Sequence, residues 1–254
     1  MLKWWKILWT IFWNAIFMDD ISEKIYAQDW EHLQELIWDW YKWKLDLDDI
    51  DVCNVKDFSY CFSPKNKFLE WNEMIIFNER DIEVIQQWKF SKWVKFKWMF
   101  YKTESKFSID FSMSKFPNAE DFSEMFMSSK FDKITWLTVW NKVKTVESMF
   151  EYSDIKIVDL NWFQKNNIQN FTKMIRLSSW NFIWLENINT KNWKYFDQMF
   201  EWTTFVYDLS KFDFKNWVSF NKMFSKTQLF YVDSDTNSLF RKYEVETKIN
   251  SLKN

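Results

Sequence analysis

The chain has 254 residues and a formal net charge of −2, with 47% hydrophobic and 28% charged residues. That length allows one large domain or two small ones with a substantial core, while near-neutral charge gives no footprint of a nucleic-acid or anionic-membrane binder. Two cysteines, Cys53 and Cys61, are too few for a disulfide framework, and no uncharged apolar stretch reaches the roughly 18 residues of a membrane span.

At the N-terminus, Lys3 and Lys6 precede an apolar run from Ile7 to Met18 broken by Thr10 and Asn14. This is the layout of a secretory signal, without a small-x-small cleavage site after it. Residues 1–27 are therefore read as a signal or membrane-proximal segment, the alternative being a buried or mis-started N-terminus. Residues 28–44 carry Trp30, Leu33, Leu36 and Ile37 at helical spacing, which predicts an N-terminal capping helix.

From residue 45 the chain repeats itself. A short motif ending in an apolar residue plus Phe or Ile recurs at Asn54–Phe62, Pro117–Phe126, Lys142–Phe150, Asn167–Ile175, Asn192–Phe200 and Asn216–Phe224, with a further copy ending at Met99-Phe100. Its terminal positions are 62, 100, 126, 150, 175, 200 and 224, so the spacing is 38, 26, 24, 25, 25 and 24. The long first interval predicts an insertion within 63–90.

Eight residues before the terminal position stands Asn54, Asn118, Asn167, Asn192 or Asn216, a residue suited to N-capping. Phe58, Phe96, Phe122, Val146, Phe171, Phe196 and Phe220 lie four residues before it, completing one apolar face of a short helix. Fifteen residues before it is a second apolar column of Leu47, Ile85, Phe111, Leu160, Leu185 and Leu209, with Thr135 as the exception. Alternation around this column, as in Val158-Asp159-Leu160-Asn161, predicts a short half-buried strand. Each unit reads as strand, turn, Asn-capped short helix and turn. Units of about 25 residues cannot bury their own faces and must stack. Residues 45–226 are thus expected to form an α/β leucine-rich-repeat-like solenoid of about seven short parallel strand–helix units. Residues 227–254 lose the register and read as a C-terminal cap and tail.

The pattern resembles the BspA-like leucine-rich-repeat bacterial surface proteins, whose repeat runs roughly L-x-x-F-D-T-S-N-V-T-N-M-S-x-M-F-x-G. Leu45–Phe62 and Leu209–Phe224 carry the likeness, which covers about residues 45–226. The chain departs from that pattern in its degenerate second unit (63–100), in lacking Gly-Cys after the helix, and in its scarcity of Thr-Ser. The resemblance implies a surface-displayed or secreted, non-enzymatic protein that binds another protein, with adhesion as one role.

The composition carries a second signal: Gly 0 and Trp 20, where average usage gives roughly 18 glycines. Ala 3, Arg 3 and Pro 2 against 31 Lys point to a very AT-rich gene. Some bacterial lineages read UGA as glycine, and another translation table reads it as tryptophan; on that account most Trp letters stand for Gly. Asn161-Trp162, Ser179-Trp180, Asn192-Trp193, Asn216-Trp217 and Asp39-Trp40 are pairs in which Gly is the usual turn residue. Phe200-Glu201-Trp202 falls where the similar family has Phe-x-Gly. Trp30 is the best candidate for a genuine tryptophan. The bland alternative is a chain that uses Trp this heavily. Trp93, Trp193 and Trp217 share a column with Val55, Ala119, Val143 and Ile168, where an indole overpacks a stacked interior.

The catalytic inventory is poor, and no enzyme is expected. His32 is the one histidine, and a solvated helix-face residue is the simpler reading than a general base. Cys53 and Cys61 read as unrelated thiols or as a reducible bridge. No metal-ligand spacing or phosphate-cradling loop is present, so no cofactor or metal is expected. One column merits a site hypothesis: Asp46, Asp110, Asp159 and Asp208 each precede the strand column by one residue. On neighbouring strands they form a carboxylate ladder, which needs a backbone donor, a Lys or a bound ligand. An Asp fixing the turn between units is the structural alternative. The partner is an unidentified protein, with no nucleic acid, and a membrane only through the N-terminal segment. The runners-up are an aromatic-rich carbohydrate-binding or membrane-interfacial repeat protein, and an intracellular repeat scaffold.

Overall fold

A computed structural model describes residues 24–69, 74–90, 95–111, 119–135, 142–159, 167–178, 181–183, 191–203, 216–226, 230–233 and 238–241. The signal reading of 1–18, Trp93, Trp162, Trp180, Leu185, Asp208 and Leu209 lie outside them. The fold is mixed α/β with short parallel strands. In chain order it runs β1 (Ile25–Tyr26), α1 (Trp30–Tyr41), a single 3-10 turn (Leu47–Asp49), β2 (Ile50–Asp51), β3 (Ile76–Phe77) and α2 (Glu79–Gln87). It continues with β4 (Glu104–Ser105), β5 (Ile109–Asp110), β6 (Lys130–Thr135), β7 (Asp154–Asp159), β8 (Asn181–Ile183), β9 (Phe230–Asp233) and β10 (Ser238–Arg241). No described helix is long and apolar enough to cross a membrane.

The predicted N-terminal helix is α1, and its ends follow from local chemistry. Asp29 is extended and its carboxylate accepts from the His32 N–H at 2.9 Å. In return the His32 Nδ1 accepts from the Gln28 N–H at 3.2 Å, so the one histidine caps a helix. Leu33, Leu36 and Ile37 are buried on one face, as their spacing requires. The C-terminus closes in a Schellman motif: the Trp43 N–H donates to the Trp40 carbonyl at 2.8 Å and Lys44 N–H to Asp39 at 2.9 Å. The residue in the left-handed position is Trp43, at φ 59°.

The insertion contains α2, which the repeat analysis did not resolve. Asn78 accepts from the Asp81 N–H and Asp81 accepts from the Asn78 N–H, both at 2.9 Å, a capping box ahead of buried Ile82, Val84 and Ile85. Two members of the predicted strand column are therefore misplaced. Ile85 belongs to this helix and Leu47 to the 3-10 turn.

Beyond α2 the units pair in parallel. One sheet has the order β3-β4-β6-β7-β8, with β5 also beside β6. Glu104, Lys130 and Asp154, each four residues after a terminal Phe, lie on adjacent rungs. A second ladder is made of single-residue bridges, Asp57 to Lys95 and then Asp121, Thr145, Asn170, Tyr195 and Ser219 in succession. β9 and β10 form an antiparallel pair in the segment read as the C-terminal cap.

The short helices expected in each unit are absent among the described residues, and the backbone shows why. Phe100, Phe126, Phe150 and Phe200 each send their N–H to the Met carbonyl of the next unit, at 2.9 to 3.0 Å. Glu124, Ser148, Lys173 and Gln198 do likewise with Glu147, Thr172, Asp197 and Asn221. N–H groups spent on a neighbouring unit are not free for i→i−4 bonds. Each motif instead chains tight turns, as when Met125, Met127 and Ser129 donate back to Phe122, Glu124 and Phe126. These turns need left-handed residues, and the chain supplies Glu124, Ser128, Ser148, Tyr152, Lys173, Leu177, Gln198 and Trp202, all at φ 51° to 61°. A left-handed non-glycine residue costs roughly 1–2 kcal/mol. The Asn column also changes role: the Asn216 amide donates to the Lys191 carbonyl of the preceding unit at 2.7 Å.

The core repays that cost. Phe62, Phe100, Phe126 and Phe150 form one file of rings with centroids 5.5, 4.9 and 5.7 Å apart and planes within 19°. Phe58, Phe96 and Phe122 form a second, at 5.9 and 5.1 Å. Ring spacing follows the rung spacing, about 4.8 Å between strands. All seven side chains are fully buried, each contributing about 1.5–3 kcal/mol. Three residues after the terminal Phe or Ile, Thr103, Ser129, Ser153, Ser178 and Thr203 are buried and donate their hydroxyls to that residue's carbonyl.

Candidate functional site

The acidic column does not assemble as a ladder among the described residues. Asp46 caps the 3-10 turn, where its backbone N–H donates to Asp49 at 3.4 Å. Asp110 lies in β5 opposite Thr135, and its N–H donates to the Gln86 side chain at 2.5 Å. Asp159 ends β7 opposite Ile183. Neither Asp110 nor Asp159 faces another member of the column on the strand with which it is paired here.

The second ladder presents the polar surface instead. Asp57, Asp121, Thr145 and Asn170 each use a side-chain oxygen to accept the N–H two residues on, from Ser59, Ser123, Glu147 and Thr172, at 2.7 to 3.3 Å. These local bonds hold each outward residue at its rung while the inward neighbours Phe58, Phe122, Val146 and Phe171 stay buried. Cross-unit contacts join the face laterally. The Asn170 amide donates to Glu147 at 3.1 Å, and Asp197 takes the Ser219 hydroxyl together with the Asn221 N–H. Along this face charge gives way to neutral groups, from Asp57 and Lys95 to Thr145, Asn170, Tyr195 and Ser219.

Beside it, Asn167, Gln169, Lys191, Asn192, Lys194 and Asn216 line a groove of about 300 Å³. Two larger clefts lie near the N-terminal end. One, of about 430 Å³, is lined by Trp40, Trp43, Met74, Ile76 and Asp81 among others. Burial raises the Asp81 pKa there, opposed by hydrogen bonds from Asn78 and Trp40. The other, of about 370 Å³, includes Trp30, Tyr60 and Lys97.

A charged triad links three successive units one residue past the terminal position. Arg176 donates to Glu151 at 2.6 Å and to Glu201 at 2.7 Å; the two glutamates are 7% and 8% exposed and the arginine 21%. Burial works against the guanidinium charge, but the hydrogen bonds to Glu201, Glu151 and Tyr152 raise its pKa above the ordinary value. Sequence reasoning missed this triad because its members match no motif; the signal was their common position, 25 residues apart.

Cys53 is half-buried and Cys61 buried, and burial pushes the Cys61 thiol pKa up. No group of three or more His, Cys, Asp or Glu among the described residues is placed to hold a metal ion. Compared with protein-family models, curated proteins and solved structures, the chain matches none.

Proposed function

We propose that residues 45–226 build a leucine-rich-repeat-like solenoid that serves as a non-enzymatic protein–protein interaction module, surface-displayed or secreted, with adhesion as its role. One observation carries this reading. Asp121, Thr145, Asn170, Tyr195 and Ser219 stand on consecutive parallel rungs, one per motif copy. A stack of that kind offers an extended face on which many weak polar contacts act together. The motif's resemblance to BspA-like surface proteins supplies the cellular setting by analogy, since a fold alone assigns no function.

The partner reads the neutral half of the second ladder, around Thr145, Asn170 and Tyr195. These side chains are polar and outward; Thr145 and Asn170 are held by the backbone N–H two residues on, and the Asn170 amide also reaches Glu147 of the preceding unit. A preorganised face loses little entropy on binding. Antibody labelling of intact native cells, followed by cross-linking, tests both halves of the proposal. Surface labelling and a discrete cross-linked protein product are expected, with the product lost in Asn170→Arg and retained in Lys156→Ala on the other ladder. An antibody that reaches its target only after lysis overturns display. A product indifferent to Asn170→Arg overturns the face.

A further inference from the structure

We propose that Trp43, Trp98 and Trp202 are glycines in the native protein, specified by UGA codons that its own translation system reads as glycine, whereas Trp30 and Trp40 are genuine tryptophans. Two independent features of the structure separate the groups. The first is the backbone: Trp43, Trp98 and Trp202 have φ of 59°, 59° and 61°, the region glycine enters without steric cost. Trp40 sits inside α1, where glycine is the poorest choice after proline, and Trp30 is the first residue of the same helix.

The second feature is the use made of the indole. The Trp30 Nε1–H donates to the Ser59 carbonyl at 2.7 Å and that of Trp40 to the Asp81 carboxylate at 3.3 Å. Trp40 also packs its ring on Phe62 and Phe77, with centroids 5.8 and 6.0 Å away. These are tasks for a tryptophan, and Asp39-Trp40, a turn pair by sequence, is no turn. By contrast Trp43 is 89% exposed, and Trp202, whose ring meets the Lys226 ammonium at 4.3 Å, is 48% exposed. The Trp98 ring packs on Tyr60 and Tyr101 and lies under the Lys65 ammonium, but its indole N–H is buried with no hydrogen-bond partner among the described residues, an arrangement that large polar side chains avoid.

Position sharpens the first feature. Trp43 occupies the C′ site of a Schellman motif, the place where helices most often end in glycine. Trp98 and Trp202 stand two residues before and two residues after a terminal Phe, the two places where each motif turns left-handed. Other residue types also fill those places, Lys173 and Leu177 among them, so positive φ alone does not make the assignment. Coincidence with an indole N–H that donates to no group among the described residues does. Trp88 has a buried, unpartnered N–H but φ of −60°, and it is left out. Trp193 and Trp217 are not in the left-handed region and are left out as well.

The assignment bears on binding. Trp43 and Trp202 are the two most exposed tryptophans among the described residues. Without their rings, no tryptophan among the described residues is largely exposed for stacking on sugars.

Tandem mass spectrometry of peptides from the protein isolated from its native cells tests this, read beside the codons of its gene. Glycine at 43, 98 and 202 from UGA, with tryptophan at 30 and 40 from UGG, is the expected result. Tryptophan at any of the first three positions overturns the assignment. Glycine at 30 or 40 overturns it too, because the structural separation then has no basis.

Discussion

The segment from residue 24 to 90 and the units from 95 to 226 hold together by different means. In the first, stability is side-chain specific: Asp29 and His32 cap α1, Asn78 and Asp81 cap α2, and the indoles of Trp30 and Trp40 reach named acceptors. In the second, the backbone does most of the joining, with N–H groups passed from one motif to the carbonyls of the next. Side chains there repeat by column, so a single type, Phe or Ser/Thr, does the same task at each level. A repeat can tolerate variation at many positions because its cohesion is distributed. The segment from 24 to 90 cannot, because each of its contacts occurs once.

The largest way to break this contrast is Phe126→Ala. The ring lies between Phe100 and Phe150 in one file and meets Phe131 edge-on at 5.7 Å. Its removal leaves a cavity on both sides and is expected to cost about 3–5 kcal/mol. Denaturant titration reads this as a lower midpoint. A loss near that of a surface substitution would show that the file is not a packed core.

Arg176→Ala comes next. It strands two buried glutamates and is expected to cost about 3 kcal/mol, the lower end for a broken buried pair because the arginine side chain keeps 21% exposure. The triple variant that adds Glu151→Gln and Glu201→Gln should regain a large part of that loss. Additive losses in that cycle would mean that the triad is three separate surface contacts.

Thr203→Val is smaller. It keeps the shape but removes the hydroxyl donor to the Phe200 carbonyl at 2.6 Å, which keeps the Thr203 N–H at 3.2 Å, a deficit of about 0.5–1.5 kcal/mol at a fully buried site. Ser153→Ala, the equivalent change two units earlier, should cost a similar amount, since both hydroxyls serve the same turn. A marked difference between the two would sharpen the comparison by showing that levels of the repeat are not equivalent. The measurement is again the denaturation midpoint.

How much of this was legible in the sequence depends on what the spacing could decide. The 25-residue register and its apolar columns were visible because burial recurs level by level: Phe58, Phe96 and Phe122 are buried as their alignment implies. Helix against turn was not decided, because Phe122, Met125 and Phe126 lie on one side in either form. The destination of the N–H groups decides it, and that is a non-local fact. Among the described residues the acidic column is out of register for a related reason. It was counted back from the following terminal residue, but a strand is tied to the preceding Phe by a turn of fixed length. Lys130 and Asp154 pair because each follows its Phe by four residues, whereas Asp110 meets Thr135. The Ser/Thr column and the Asn78–Asp81 box were legible and overlooked, one lying past the motif's end and the other inside the insertion.

The smallest expected effect is a gain. Trp43→Gly relieves a left-handed residue, worth roughly 1–2 kcal/mol, and adds back about 0.5–1 kcal/mol of unfolded-chain entropy. The Trp43 ring is 89% exposed, so little burial is forfeited. The net is a stabilisation of about 0.5–1 kcal/mol, read as a Tm rise of about 1–4 °C for a chain this size. The control is Trp40→Gly, one turn earlier in the same helix. There the ring stack on Phe77, the bond to Asp81 and helix propensity are all lost, and a Tm fall several times larger is expected. Opposite signs three residues apart would tie the stability of the N-terminal segment to how each indole is used. A fall in both variants would mean that the Trp43 ring carries stability of its own, and that the cost of its backbone conformation is already offset within the cap.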